Sequence, residues 1–133
     1  MTVQNKVFGV VTFSTGWKVK EKLQIKLWGK TYEVGVKADS YYETDPITEA
    51  QENAFVELKS VLSEKQKAAE RLLSEYCDDA GAEELVERLT PTKLIIDSDG
   101  ECALLFDDEE DEDNGLVVIL LPEEDMQTQD EYL

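Results

Sequence analysis

The sequence lacks histidine altogether and has only three prolines and two cysteines in 133 residues. Without histidine it cannot carry a Ser-His-Asp or Cys-His catalytic unit, a histidine-ligated zinc ion, or the side chain that most often acts as a base near neutral pH. The two cysteines, Cys77 and Cys102, are too few for a disulfide framework and have no CxxC spacing. We therefore predict a non-enzymatic protein without a cofactor. The absence of a signal-peptide pattern at the N-terminus, together with the cysteine usage, predicts a cytoplasmic location.

Basic residues are scarce as well, since 13 lysines and arginines face 31 aspartates and glutamates and give a net charge of −18. The imbalance is confined to one half of the chain. Residues 1–60 hold eight lysines and eight carboxylates, whereas residues 61–133 hold five basic and 23 acidic residues. Phosphate backbones and anionic lipids repel such a surface. The charge therefore predicts a basic protein partner, and neither nucleic acid nor a membrane.

Strand patterns dominate the first third of the sequence. Apolar residues alternate with polar ones from residue 17 to residue 27, which is typical of a strand with one buried face. Glycine-containing turns at residues 14–16 and 29–30 complete a predicted three-stranded antiparallel meander over residues 7–38. The cross-strand pairs predicted from these turns are Phe13 with Trp17 and Leu27 with Tyr32.

Helix signals follow in the middle of the chain. Thr48 and Gln51 have the spacing of a capping box, in which each residue's side chain accepts a hydrogen bond from the other's backbone N–H. An apolar stripe at three- and four-residue intervals comes after them, and the polar residues around Ser63 favour two helices over one. Asp79 is the predicted cap of a short third helix that ends near Leu89.

The last third returns to strands. KLIIDS and ECALLF flank Asp99-Gly100, a strong hairpin signal, and LVVILL at residues 116–121 forms another apolar run. A two-residue turn would put Leu94, Ile96, Ala103 and Leu105 on one face of the hairpin. The chain is thus predicted to be a single α+β domain over residues 1–133. Its expected architecture is an N-terminal meander, two or three helices, a C-terminal three-stranded antiparallel sheet, and one layer of helices on the sheet.

The most unusual feature is a run of seven consecutive carboxylates: Asp107, Asp108, Glu109, Glu110, Asp111, Glu112 and Asp113. Their mutual repulsion favours an extended, solvated loop. One interpretation is a loop that only keeps the surface soluble; another is a docking surface for a basic partner. A third interpretation is a calcium-binding loop, a twelve-residue motif with glycine at its sixth position and glutamate at its twelfth. If Gly115 is the sixth residue, the twelfth is Leu121, so the motif is not present.

Three further carboxylates, Asp97, Asp99 and Glu101, surround the Asp-Gly turn. Paired carboxylates of this kind are used by magnesium sites and by some hydrolases. The spacing alone is weak evidence for such a site, and the turn itself explains these residues better, because aspartate tolerates turn conformations and hairpin ends meet water. With residues 107–113 they are the predicted partner-binding residues, and no catalytic or metal-binding residue is predicted.

Two segments of the chain carry a resemblance to a known family. The first segment is ITEAQENAF at residues 47–55, and the second is residues 89–133, which contain a proline, an Asp-Gly pair, spaced aspartates, a glycine, a second proline and the final QDEYL. They resemble a family of uncharacterised small bacterial domains. Its motifs are turn and cap signals that cover about two-thirds of the chain. The seven-acid run is longer than the family pattern requires. Such domains look like the immunity-type proteins that accompany bacterial toxins, and the resemblance implies no catalytic residue.

These observations predict a non-enzymatic inhibitor of the immunity type, whose acidic second half covers a basic site on a partner such as a toxin. One alternative is a divalent-metal-binding domain or a carboxylate-dependent hydrolase. The other is a structural domain in which charge serves solubility.

Overall fold

The computed structural model describes residues 2–132 as an α+β fold, in which one mixed sheet of nine strands packs with four helices. The strands are β1 (Thr2–Asn5), β2 (Gly9–Phe13), β3 (Trp17–Val19), β4 (Leu23–Leu27), β5 (Lys30–Ala38), β6 (Leu89–Ile96), β7 (Cys102–Asp108), β8 (Leu116–Leu121) and β9 (Asp125–Thr128). The helices are α1 (Glu49–Ser60), α2 (Leu62–Tyr76), α3 (Ala82–Arg88) and α4 (Gln129–Tyr132). The strand order is β1-β2-β3-β5-β6-β7-β8-β9, and β4 pairs with β5.

The predicted architecture of a separate three-stranded meander and a separate three-stranded C-terminal sheet is wrong. Strands β5 and β6 pair in parallel, with Val36 opposite Leu94, and this pairing joins the five N-terminal strands to the four C-terminal strands. The partners are far apart in the sequence, so no local pattern indicates the pairing. The single layer of helices is also wrong, because α1–α3 pack on one face while Tyr132 of α4 packs against a cluster on the other.

The N-terminal hairpins show why one register was predictable and the other was not. Phe13 lies opposite Trp17, as predicted. The pairing of Leu27 with Tyr32 is wrong, because Leu27 lies opposite Lys30 and the turn is Trp28-Gly29. Both turn residues have positive φ angles, 52° and 76°, which glycine adopts readily and tryptophan does not. The Trp28 ring packs 6.3 Å from that of Phe106, so long-range packing favours this turn.

Most of the predictions about the helices are confirmed. The capping box is present, since Gln51 N donates to Thr48 Oγ1 (3.1 Å) and Thr48 N donates to Gln51 Oε1 (2.9 Å). The predicted break between two helices is at Val61. Asp79 does not cap the third helix: its φ is 60°, and α3 begins after Gly81.

Gln51 also ties the start of α1 to the sheet. Its side chain is 1% exposed, and Nε2 donates to the backbone oxygens of Asp39 (2.9 Å) and Ile96 (3.0 Å). Ile96 is the last residue of β6, and Asp39 follows the last residue of β5, the strand that pairs with it in parallel. One buried amide therefore satisfies the carbonyl of Asp39 and gives that of Ile96 a second donor beside Asp39 N (2.8 Å), and it holds the helix against the strand ends.

The C-terminal hairpin forms with a different register. Leu94 lies opposite Leu104, so these two side chains share a face, contrary to the prediction. The loop has three residues, 98–100, and Gly100 N donates to Asp97 O (2.9 Å) with a φ of 94° at the glycine. A glycine in this conformation closes a three-residue hairpin loop.

Apolar side chains fill both faces of the central strands. The main cluster lies between the sheet and α1–α3. A smaller cluster on the opposite face contains Ile95, Ala103, Leu105, Val117 and Ile119. Among residues 2–132, no helix combines the length and the hydropathy needed to cross a membrane.

Candidate functional site

The acidic run begins with the last two residues of β7 and continues into the connection between β7 and β8, whose backbone is folded into turns. Glu110 N donates to Asp108 Oδ1 (3.0 Å), Asp111 N to Asp108 O (3.1 Å), and Asn114 N to Asp111 O (3.2 Å). The expected extended loop is therefore wrong, because these hydrogen bonds hold the chain in a compact shape despite the charge.

Arg88 anchors this loop to the end of α3. Its Nε and Nη2 donate to the two carboxylate oxygens of Asp108 at 2.9 and 3.1 Å, and its Nε also lies 2.9 Å from Glu110 Oε2. Asp108 is 5% exposed. The hydrogen bond from Arg88 lowers the pKa of Asp108, and the same bond raises the pKa of Arg88. Asp108 is thus a buried structural anchor, and we correct its assignment as a partner-contact residue.

The other carboxylates of the run are exposed. Glu110 has Arg88 as its counter-ion. The remaining five have no lysine or arginine within salt-bridge distance in the part of the chain that the structure describes. They are Asp107, Glu109, Asp111, Glu112 and Asp113. The fold therefore presents five uncompensated negative charges on one ordered loop.

More carboxylates, which the sequence interpretation did not single out, lie on the helices beside this loop. Glu109 N donates to Arg88 O (2.9 Å), which places the end of α3 against the loop. Three exposed side chains of α3 carry negative charge: Glu83, Glu84 and Glu87. The high acid count after residue 60 was the available signal, but it did not indicate which acids the fold brings together.

The end of α2 lies at the same place. Burial raises the pKa of the Cys77 thiol; the charge of Arg88 opposes this shift, and those of Asp108, Glu110 and Asp78 add to it. These interactions put the C-terminal end of α2 beside the loop. We call this combined surface, formed by residues 78–87 and 107–113, the acidic end of the sheet.

A groove of about 290 Å³ opens within the acidic end. It is lined by Asp107, Asp108, Glu109, Glu112 and Asp113, of which Asp108 has its carboxylate bonded to Arg88. Gln129 closes one side by donating from Nε2 to Phe106 O (2.8 Å). Such a groove attracts cationic groups and offers charge-assisted hydrogen bonds to lysine and arginine. Within residues 2–132, no three histidine, cysteine, aspartate or glutamate side chains converge as metal ligands.

The second predicted set of contact residues lies elsewhere. Asp97, Asp99 and Glu101 are at the opposite end of β7, about 20 Å away by the rise of a seven-residue strand. Asp97 Oδ1 accepts hydrogen bonds from the backbone N–H groups of Asp99 and Glu101, both at 3.0 Å, so Asp97 stabilises the turn. The expectation that these residues adjoin the acidic run as one contact surface is therefore wrong.

Neither thiol is suited to act as a nucleophile. Cys77 and Cys102 are buried and unpaired. Burial raises the pKa of Cys102 to about 12, and the carboxylates of Asp97, Glu57 and Glu101 act in the same direction. A thiol with a raised pKa is a poor source of thiolate.

No protein-family model, no curated protein and no solved structure matches this chain. The resemblance to a family of small bacterial domains therefore stays a prediction.

Proposed function

We propose that the protein is a non-enzymatic inhibitor of the immunity type, and that its acidic end covers a basic surface on a partner protein such as a toxin. The observation that carries this proposal is the set of five exposed, uncompensated carboxylates on a loop whose shape is held by the ion pair of partly buried Arg88 with buried Asp108. A loop used only for solubility does not require a fixed backbone, whereas a docking surface benefits from one.

The mechanism has two physical parts. Clustered charge raises the rate at which an oppositely charged partner arrives, and it disfavours partners that are neutral or acidic. A loop that is already ordered loses little conformational entropy on binding, so more of the contact energy appears as affinity. Inhibition would follow from steric occlusion of the basic site, and no reaction is required of this chain.

We further propose a cytoplasmic location. The support is the presence of two unpaired cysteines, since free thiols persist in reducing compartments. Both are buried, so the fold itself also protects them from oxidation.

The test is capture of a partner from lysate of the source organism by three immobilised proteins. They are the wild type; a loop variant with Asp107→Asn, Glu109→Gln, Asp111→Asn, Glu112→Gln and Asp113→Asn; and a control variant that neutralises five exposed acids elsewhere. The control substitutions are Glu21→Gln, Glu33→Gln, Glu57→Gln, Glu64→Gln and Glu123→Gln.

We expect the wild type and the control variant to capture the same basic protein at about 0.05 M salt, and to release it at about 0.5 M salt because screening weakens exposed charges. The loop variant should capture much less. Equal capture by all three proteins, or recovery of no basic protein at low salt, would contradict the proposal. The second outcome would favour the solubility interpretation of the charge.

A further inference from the structure

Two edges of the sheet have their outward N–H groups occupied by side chains of the same chain. Along β4, Lys26 N donates to Gln66 Oε1 (2.6 Å) and Trp28 N to Glu70 Oε2 (3.4 Å). The two acceptors are four residues apart on α2. The two donors are two residues apart, at the end of β4 and at the first turn residue after it, so their spacings match. Helix α2 thus blocks this edge against further strand pairing.

Side chains of the chain also occupy the outward N–H groups of the β9 edge. Met126 N donates to Asp125 Oδ1 (2.8 Å), and Thr128 N donates to Glu131 Oε1 (3.2 Å). Carboxylates therefore take up both donors that point away from the sheet, and their charge further discourages an incoming strand.

The β1 edge differs from both. Lys20 N donates to Val10 O (2.9 Å), so the backbone polar groups of Val10 point toward β3. Those of the next residue, Val11, therefore point toward β1, where Val11 lies opposite Val3. The N–H and C=O of Gln4 consequently point away from the sheet. In the chain from residue 2 to residue 132, no side chain accepts a hydrogen bond from Gln4 N.

An apolar groove runs beside this free edge. Its volume is about 440 Å³, and Val3, Trp17, Pro46 and Ile47 form its apolar walls. Val3 is 36% exposed although it belongs to a paired strand. Trp17 is held in place by donating from Nε1 to Asp45 O (2.8 Å). A fixed apolar groove therefore lies next to unused backbone donors and acceptors.

We propose that the free edge of β1 and this groove form a docking surface for an extended segment of a partner protein. The segment adds to the sheet as a further strand beside β1, with backbone hydrogen bonds to Gln4, and places one apolar side chain in the groove. This surface lies at the edge of the sheet formed by β1, whereas the acidic end lies at the β7–β8 connection. The inference does not depend on the function proposed above.

Charge indicates what flanks that apolar side chain. The loop that forms one wall, residues 43–47, contains the exposed carboxylate of Asp45 and no basic residue. Lys6, which follows β1, lies 3.8 Å from Glu52, so its charge is balanced within the fold. The net charge of −18 arises from residues 61–133 and therefore acts on this edge only over a longer range, but it has the same sign. Both features favour a segment in which lysine or arginine alternates with aliphatic residues.

A second copy of this chain is a poorer occupant. β1 has four residues and is about 13 Å long, so an edge-to-edge pair of such strands falls well short of the roughly 1,200 Å² that stable interfaces bury. Two copies that each carry a charge of −18 also repel one another. An extended peptide avoids both difficulties because it fills the groove as well as the edge.

The test uses a phage-displayed library of random peptides selected against the whole protein at physiological salt, followed by affinity measurements on the enriched peptides. Gln4→Pro is the diagnostic variant, because proline removes the outward N–H without removing a hydrogen bond to β2, and proline is tolerated on edge strands. Gln4→Ala is the matched control, since it keeps the N–H.

We expect enriched peptides that alternate aliphatic and basic residues. Their affinity should fall about ten-fold or more in Gln4→Pro and much less in Gln4→Ala, which keeps the N–H and only shortens a side chain that lines the groove. Amide hydrogen exchange in the wild type supplies a measurement that does not depend on the folding of a variant. Bound peptide should slow exchange at Gln4 and leave Lys26 and Met126 unchanged.

Five results would overturn the inference. The first four are no enriched peptide, equal affinity for the Gln4→Pro variant, no slowing of exchange at Gln4 with peptide bound, and binding that is lost only in the loop variant. The fourth result would place basic peptides at the acidic end and leave the proposed function standing. Concentration-dependent dimerisation of the wild type that disappears in Gln4→Pro would assign the edge to a second copy and would also overturn it.

Discussion

The Arg88 guanidinium and the Asp108 carboxylate meet through two hydrogen bonds at the point where the most acidic segment of the chain leaves the sheet. Asp108 ends β7 and Arg88 ends α3, so the pair joins a helix to a strand. Glu109 N and Glu110 Oε2 add contacts to Arg88 at 2.9 Å each. A single arginine therefore determines how the acidic loop is presented.

Replacing the buried carboxylate should be costly. We predict that Asp108→Asn lowers the free energy of unfolding by about 3 kcal/mol, because it leaves a partly buried guanidinium with half of its pairing lost. Urea denaturation measures the change. Asp107→Asn, one position earlier and exposed, is the control and should change stability by less than about 0.5 kcal/mol. Equal effects of the two substitutions would show that the pair does not anchor the loop.

The same pair predicts a dependence on pH. The hydrogen bond from Arg88 lowers the pKa of Asp108 in the folded state below its ordinary value of 3.8. Its stabilising contribution is therefore complete above that value and is lost as the pH falls through the folded pKa. Wild type and Asp108→Asn should differ in stability at pH 7 and converge as the pH falls below 3.8. A constant difference from pH 7 to pH 2 would contradict this.

Glu101 is predicted to act with the opposite sign. Burial raises its pKa above the ordinary value of 4.5, and the charges of Asp97, Asp125 and Asp99 contribute. A raised pKa means that the stability contributed by this group is complete below 4.5 and is lost as the pH rises through the folded pKa. Glu101→Gln should therefore raise the melting temperature at pH 7 and change it little at pH 4. The matched control, Glu123→Gln, should do neither.

The sequence predicted local structure correctly where neighbouring residues determine the backbone conformation. The capping box of Thr48 and Gln51 and the pairing of Phe13 with Trp17 both depend on a few consecutive residues, and both were predicted correctly. The Trp28-Gly29 turn was not, because it requires a tryptophan at positive φ and its packing partner, Phe106, is distant in the sequence. The parallel pairing of β5 with β6 was missed for the same reason.

The candidate site was predicted only in part. A run of carboxylates indicates repulsion and exposure, which holds for Asp107 and Glu109 through Asp113. It does not reveal that Asp108 turns inward to Arg88, because the partner is twenty residues away. Nor does the sequence show that Asp97, Asp99 and Glu101 stand at the other end of β7. The sequence shows how closely charges follow one another along the chain, but it does not show how folding distributes them over the surface.

The exposed charges of the acidic loop should lower stability when no partner is bound. We predict that the loop variant melts a few degrees above the wild type at low salt, because five like charges no longer repel one another. The gap should close at about 1 M salt, where the screening length is about 3 Å. The control variant should gain less, since its neutralised acids are dispersed over the fold. An equal gain would show that total charge, and not its clustering, is responsible.

Gln51 should be among the most sensitive polar positions. Its buried amide makes hydrogen bonds with Asp39 O, Ile96 O and Thr48 N, and Gln51→Ala removes all three. Ile96 O keeps the hydrogen bond from Asp39 N (2.8 Å), whereas Asp39 O and Thr48 N lose the partner that Gln51 supplies. We predict a loss of about 3 kcal/mol in the free energy of unfolding, measured in urea, since unpaired buried polar groups are expensive. Gln24→Ala, on the exposed side of β4, is the control and should have little effect. A small loss of stability in Gln51→Ala would mean that α1 packs against the sheet without the hydrogen bonds of Gln51.

Gly100 should tolerate no side chain. Its φ of 94° is strained for other residues, and a Cβ atom there would lie 2.9 Å from the backbone oxygen of Ala50 at the start of α1. We predict that Gly100→Ala lowers the free energy of unfolding by about 2 kcal/mol or more, because the hairpin loop and the helix must both shift. Gly35→Ala is the matched control: nothing lies within 4 Å of its added Cβ, so stability should be unchanged or slightly higher. If the two substitutions had equal effects in thermal denaturation, close contact between this loop and α1 would not be what fixes the β6–β7 register.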